Sequence, residues 1–178
     1  MKNLIDYVMV DNLFTLEQCQ EYISVLDKCH WGPHRWYDNA ESEFVYRKDF
    51  DVSYNVEVQT LMKDPIMNFF TNYVNKHNTR PNLNFSGIRF NKYNEGEGIA
   101  RHVDHIHSLF DGKKRGIPIM TCVGVFNDDY EGGEFMMCGE EIKLKQGDAI
   151  QFPSVFLYPH EVKPVTKGTR YSWVLWTW

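Results

Sequence analysis

Little in this sequence points to covalent staples or a membrane. Its four cysteines, Cys19, Cys29, Cys122 and Cys138, are scattered without Cys-x-x-Cys spacing, so neither a disulfide framework nor a thiolate zinc site is indicated. No apolar run approaches the ~18 residues that cross a bilayer, and the opening Met1-Lys2-Asn3-Leu4-Ile5-Asp6 has no apolar signal core. These absences predict a reduced, cytoplasmic protein with no membrane partner. Positive charge is also in deficit. Lys plus Arg number 19 against 24 for Asp plus Glu, and a net charge of −5 argues against a general nucleic-acid binder. The 178 residues fit one domain, 1–178, which at this size buries on the order of 70% of the unfolded chain's surface without staples.

Aromatic residues, at 15%, are plentiful enough for a heavy core or a cleft lined with rings, and core is the default. Thr15-Leu16-Glu17-Gln18 reads as a capping box with Phe14 and Cys19 as its staple, and Cys19, Tyr22, Ile23 and Leu26 follow at helical spacing. Residues 30 to 55 show no sustained period and are expected to be loop, with a short strand around Phe44 and Tyr46. Within them Trp31, Trp36 and Tyr37 either line a peptide groove or cap the core edge, while His30 and His34 have no carboxylate at metal spacing. Asp64-Pro65 reads as an N-cap followed by proline at the first helical position. Ile66, Phe69, Phe70, Tyr73 and Val74 then trace one apolar face until Asn78-Thr79-Arg80-Pro81 stops the helix. Strands are expected near 83 to 93, 100 to 104, 118 to 126, 133 to 137, 141 to 144, 149 to 152, 159 to 164 and 170 to 176. Short strands separated by glycine turns such as Gly132-Gly133 and Gly147-Asp148 indicate a sandwich or barrel. Of Trp173, Trp176 and Trp178, one or two should close the core.

The chemistry is concentrated in His102-Val103-Asp104 and Tyr158-Pro159-His160. A His and an Asp two apart on a strand project from one face and can reach one ion. A distant His then completes two imidazoles and a carboxylate, the facial set that leaves adjacent positions open on a non-haem Fe(II). These side chains are deprotonated, as ligands must be, at neutral pH. First-shell identity alone leaves zinc open, and His105 and His107, on the opposite strand parity, form a competing pair or sit at the rim near the substrate. Asp128, Asp129 and Glu131 lack EF-hand spacing and read as a solvated turn. Ten positions after His160 lies Arg170, whose two-pronged guanidinium suits a dicarboxylate and tips the choice toward an iron oxygenase with an anionic cosubstrate.

Taken in order, His102-x-Asp104, residues 127 to 134 (Asn-Asp-Asp-Tyr-Glu-Gly-Gly-Glu), residues 147 to 154 (Gly-Asp-Ala-Ile-Gln-Phe-Pro-Ser), His160 and Arg170 form a composite over residues 83 to 178. It resembles the Fe(II)/2-oxoglutarate-dependent dioxygenases, specifically the prolyl 4-hydroxylase branch with its bacterial and phage relatives. The resemblance implies a mainly β fold, a double-stranded β-helix (jelly roll) over roughly 81 to 178, with helical support over roughly 1 to 80 braced against one sheet. It also implies iron on His102, Asp104 and His160, with the distal carboxylate of 2-oxoglutarate on Arg170, Ser172 as a second donor and Tyr93 as a further contact. The implied reaction hydroxylates a C–H bond of a prolyl residue in a peptide or protein, using O₂ and decarboxylating 2-oxoglutarate to succinate, with ascorbate as reductant. One departure stands out. Oxygen-sensing members carry a second tyrosine on the strand before the Asn127 motif, where this chain has Thr121-Cys122-Val123-Gly124-Val125. The aromatic stretch from 31 to 46 and the basic run Lys113-Lys114-Arg115 suggest a groove over an extended, acidic-flanked peptide. Rival readings are an oxygenase of a free amino acid or another side chain and, in a different class, a jelly-roll binding module with a vestigial metal site. A demethylase of nucleic-acid bases would want a basic stripe that is not evident.

Overall fold

A computed structural model describes residues 3–38, 43–79, 84–104 and 118–178. Its strands are β1 (Met9–Asn12), β2 (Gly32–Asp38), β3 (Glu43–Ser53), β4 (Arg89–Tyr93), β5 (Ile99–His102), β6 (Met120–Val125), β7 (Glu131–Gly132), β8 (Phe135–Met137), β9 (Glu140–Glu141), β10 (Asp148–Pro153), β11 (His160–Val162), β12 (Val165–Lys167) and β13 (Arg170–Thr177). The two α-helices are α1 (Leu16–Leu26) and α2 (Val56–His77). A seven-stranded sheet runs β1-β10-β6-β13-β4-β3-β2, facing a four-stranded sheet β5-β11-β8-β9, with β12 and β7 as a separate pair. All pairings are antiparallel. This is the double-stranded β-helix, with the helices on one face of the larger sheet.

Alternation along β13 explains how one strand serves two cores. Tyr171, Trp173 and Leu175 face the helices and pack with Cys19, Tyr22 and Leu26 of α1 and Met62, Ile66 and Phe69 of α2. Val174, of opposite parity, packs between the sheets with Tyr93, Val123, Ile150, Phe152, Phe135 and Val162. Arg170 and Ser172 share Val174's parity, and both are 1% exposed. Polar side chains are thereby carried into the interior by a strand whose burial comes from the large apolar residues around them. Gly124 faces Trp173 across the β6–β13 pair, and a Cβ there would lie 2.4 Å from the indole. A glycine is therefore what lets the tryptophan lie flat on β6.

The capping box at Thr15 forms as expected, with Gln18 N–H donating to Thr15 Oγ1 and Thr15 N–H donating to Gln18 Oε1. Two expectations fail. The second helix starts at Val56, capped by Asn55, whose Oδ1 accepts from Val58 N–H at 2.8 Å, and Pro65 lies inside it. Leu61, whose carbonyl the proline cannot satisfy, is on the exposed face at 48%, where water can take the missing bond. Residues 30 to 55 are also not loop: β2 and β3 form a hairpin that extends the large sheet beyond β4. The strand expected near 83 to 93 is regular only from Arg89, preceded by an isolated bridge between Phe85 and Thr177.

Candidate metal and cosubstrate site

His102 ends β5 and His160 begins β11, and the two are register partners across that pair. Their ring centroids are 4.4 Å apart. Asp104, two residues on, brings Oδ1 to 3.5 Å from His102 Nε2 and Oδ2 to 3.7 Å from His160 Nε2. One ligand atom from each of the three lies within 4.8 Å of the others, a set able to hold a divalent ion. Both rings are oriented by their backbones: His102 Nδ1 is 2.8 Å from the Ala100 carbonyl and His160 Nδ1 3.1 Å from that of Tyr158. An N–H on each Nδ1 leaves Nε2 bare and pointing at the shared volume.

Asp104 is supported in turn by Thr121, whose hydroxyl donates to Oδ2 at 2.6 Å and lies 2.7 Å from Ser154 Oγ. Burial pushes the Asp104 carboxyl up, but the His102 and His160 imidazoles and the Thr121 hydroxyl overcome it and hold the group well below the usual carboxylate range. Burial lowers His160 below the ordinary imidazole value, despite Asp104. An ionised acid beside a neutral imidazole is the protonation state that metal binding needs.

Arg170 opens β13 opposite Tyr93. Its Cζ sits 5.3 Å from the Tyr93 ring centroid and 6.0 Å from that of Tyr130. Among the described residues, its buried Nε and Nη1 have no hydrogen-bond partner, nor does the Oγ of Ser172. Buried guanidinium N–H groups left without an acceptor are costly, so the Nε and Nη1 donors here fit the distal carboxylate of 2-oxoglutarate. Tyr93 lies stacked on Phe50 at 4.5 Å. Burial raises its phenol above the ordinary value against the opposing pull of Arg170 and Arg89. Gly133, in the left-handed region, brings the turn so near Arg170 that a Cβ would lie 3.1 Å from Cδ.

A cleft of about 860 Å³ opens on the metal-ligand side, lined by His102, Val103 and Asp104 together with His34, Trp36, Arg89 and Trp176. Of the β2 and β3 residues here, Trp36 was one expected to line a groove or cap the core edge, and it lines the cleft, whereas His34, Val52 and Ser53 had no signal in the sequence because the hairpin has no sustained period. His34 is buried, stacked on Phe50 at 4.3 Å and 3.8 Å from Asp49 Oδ2. Trp36 donates Nε1–H to the same carboxylate and sets its ring edge-on to His102 at 5.6 Å. Trp31 does not line this cleft: it packs on the helix side, with Nε1–H donated to the Leu26 carbonyl at 2.9 Å. Trp173 is core, whereas Trp176 and Trp178 border the cleft. The acidic run is scaffold: Asp128 accepts from Gln146 N–H, Asp129 from Asn127, and Glu131 pairs with Lys167. His105, His107 and the run Lys113-Lys114-Arg115 lie outside the described residues, as does the side chain of Tyr37.

A jelly roll presenting two imidazoles and a carboxylate at the mouth, with a buried arginine behind them, defines the architecture of a non-haem iron oxygenase. Comparison with known proteins agrees: the profile of the 2OG-Fe(II) oxygenase superfamily matches residues 88–178, and the chain belongs to that superfamily. A PKHD-type hydroxylase of Aliarcobacter butzleri is 29% identical over 183 residues, covering 94% of this chain and 76% of its own. Another, from Delftia acidovorans, is 36% identical over 96 residues, but that match spans 50% of this chain and only 42% of the relative. Among solved structures, a Trichoplax adhaerens prolyl hydroxylase in complex with a hypoxia inducible factor peptide aligns with a TM-score of 0.71 at 16% identity, covering 97% of this chain and 84% of that one. The viral collagen prolyl hydroxylase of Paramecium Bursaria Chlorella virus-1, a 2OG complex, gives 0.66 at 17%, covering 96% and 94%. At such identities these structures establish the fold.

Proposed function

We propose that this 2-oxoglutarate-dependent dioxygenase hydroxylates a prolyl residue of a peptide or protein, with His102, Asp104 and His160 holding Fe(II) and Arg170, Ser172 and Tyr93 holding 2-oxoglutarate. The observation that carries the reading is the pairing of a three-ligand cluster with orphaned buried donors on Arg170 and Ser172. Iron, 2-oxoglutarate and O₂ supply the oxidising power for attack on a C–H bond, and the chain supplies placement and a dry interior. Arg170 fixes the far carboxylate, and Ser172, on the same strand face, gives that oxygen pair a second donor. Thr121 keeps Asp104 ionised and oriented, while the backbone carbonyls behind both histidines fix their tautomers. Trp36 and Trp176 give the cleft apolar walls suited to a proline ring. Ascorbate serves as reductant in this reading, and the thiol state of all four cysteines suits the cytoplasm.

The test is to incubate the purified chain with Fe(II), ascorbate and 2-oxoglutarate, follow succinate, and examine proline-containing peptides and free amino acids by mass spectrometry for one added oxygen. Oxygen localised to a prolyl ring in a peptide is the expected result. Succinate formed only with a free amino acid would overturn the peptide reading.

A further inference from the structure

Two arginines line the cleft, Arg35 and Arg89, and the roles above use neither. Arg89 lines it alongside His102, Val103 and Asp104. Its guanidinium is clamped between rings, with Cζ 4.9 Å from the Trp176 centroid and 5.6 Å from that of Phe50. Among the described residues its one side-chain hydrogen bond runs from Nε to Oδ1 of Asn91 at 2.9 Å, and no carboxylate lies within ion-pair reach. A planar cation oriented by two π faces and a neutral amide, yet given no anion, is preorganised for a partner from outside. Burial pushes this half-buried guanidinium below its ordinary value, with Tyr93, Tyr54 and the more distant Asp104 carboxylate opposing.

Position separates Arg89 from the cosubstrate end. On β4 it precedes Tyr93 by four residues, and the register pairs it with Val174 while Tyr93 pairs with Arg170. At about 3.3 Å per residue the two arginine backbones are ~13 Å apart along the sheet. Arg89 instead leans on Trp176, whose register partner Thr121 holds Asp104. It thus stands beside the metal ligands on the side away from Arg170, where the molecule to be oxidised must enter.

We propose that Arg89 receives a carboxylate of the substrate, so that the molecule hydroxylated is an acid whose target carbon lies close to that group. The inference rests on the cleft being the substrate channel, as read above. An acidic side chain next to the target, a free C-terminus and a free amino acid share this chemistry, and matched probes tell them apart. The probes are Ac-Glu-Pro-Ala-amide against Ac-Gln-Pro-Ala-amide, Ac-Ala-Pro-Ala as acid against its amide, and L-proline against prolinamide. Binding is read from the fluorescence of the cleft tryptophans in the full chain loaded with Mn(II) and 2-oxoglutarate, which needs no turnover. In at least one pair the acid should bind on the order of tenfold or more tightly. Arg89→Gln should erase that preference while leaving the neutral probe and 2-oxoglutarate within about twofold, and Arg89→Lys should retain part of it. Circular dichroism checks both variants, with Lys as the fallback if Gln does not fold. Equal binding of acid and neutral probes in all three pairs would overturn the proposal. So would a loss of 2-oxoglutarate affinity in Arg89→Gln as large as the loss for the probes, which would assign Arg89 to the cosubstrate. Failure of turnover with intact acid-selective binding would instead count against the prolyl hydroxylase reading and leave Arg89 in its role.

Discussion

The hydroxyl of Thr121 reaches Asp104 across 17 residues of chain, donating to Oδ2 at 2.6 Å from a fully buried position on β6. It orients the one carboxylate among the three ligands and lowers its proton affinity. Thr121→Val keeps the shape and removes the donor, and should weaken divalent metal binding by about 10- to 100-fold. Titration with Mn(II) or Co(II) measures this, and an unchanged affinity would show that Asp104 needs no such support.

Removing a ligand outright is harsher. Asp104→Ala or His160→Ala should abolish metal-dependent 2-oxoglutarate turnover while far-UV circular dichroism stays native, since the two apolar clusters contain neither side chain. Full metal content and activity in both variants would refute the ligand assignment.

Arg170→Ala should weaken 2-oxoglutarate much more than metal. Truncating one partner of a buried charge pair costs on the order of 2 to 5 kcal/mol, or tens to thousands of fold in affinity. Lys should rescue only partly, as a point charge in place of a fork. Isothermal titration of the metal-loaded variants decides the matter, and unaltered 2-oxoglutarate binding would mean another cation holds it.

His34 gives the fold an acid sensitivity. Burial, with Arg89 and His102 adding to it and Asp49 opposing, lowers its imidazole from 6.5 to about 4. The unfolded chain therefore takes up a proton near 6.5 that the folded chain refuses until about 4. The stability involved is whole above pH 6.5 and drains as pH falls toward 4, by up to about 3 kcal/mol. His34→Phe, which preserves the stack on Phe50, should flatten this fall. Urea unfolding at pH 7 and pH 4.5 checks it, the wild type losing about 2 to 3 kcal/mol more than the variant.

Gly124→Ala should destabilise through overpacking, because the new methyl meets Trp173 at 2.4 Å where neither backbone nor indole has room. A loss of about 1 to 3 kcal/mol in chemical denaturation is expected. A variant as stable as the parent would show that the indole can swing aside.

The clustering of the candidate ligands was legible because HxD parity on a strand is strictly local, and the spacing to His160 and Arg170 survived into the β5–β11 and β4–β13 pairs. Helix α1 was legible for the same reason, its cap and face being contained in a dozen residues. What escaped depended on tertiary context. Asp64-Pro65 carries a stronger local start signal than Asn55, yet packing of Val58 and Met62 extends α2 backwards through the proline. The β2–β3 hairpin is set by pairing with β4 rather than by its own periodicity, so His34 could not be placed and Trp36 stood open between groove and core edge. Arg89 carries no local signal, and only the rings of Phe50 and Trp176, 39 and 87 residues away in sequence, reveal its setting.

The place of β13 in the large sheet governs when the protein can come into being. Later in sequence than every other strand, it is inserted between β6 and β4, and so divides the sheet into β1-β10-β6 and β4-β3-β2 until it arrives. During synthesis both halves must wait with open edges, a slow, non-local closure that leaves hydrogen-bonding groups exposed to wrong partners. The same strand carries Arg170 and Ser172. A nascent chain consequently lacks the residues proposed to hold 2-oxoglutarate in place until its sheet is sealed, and on that proposal the onset of oxidative chemistry is tied to the completion of the fold.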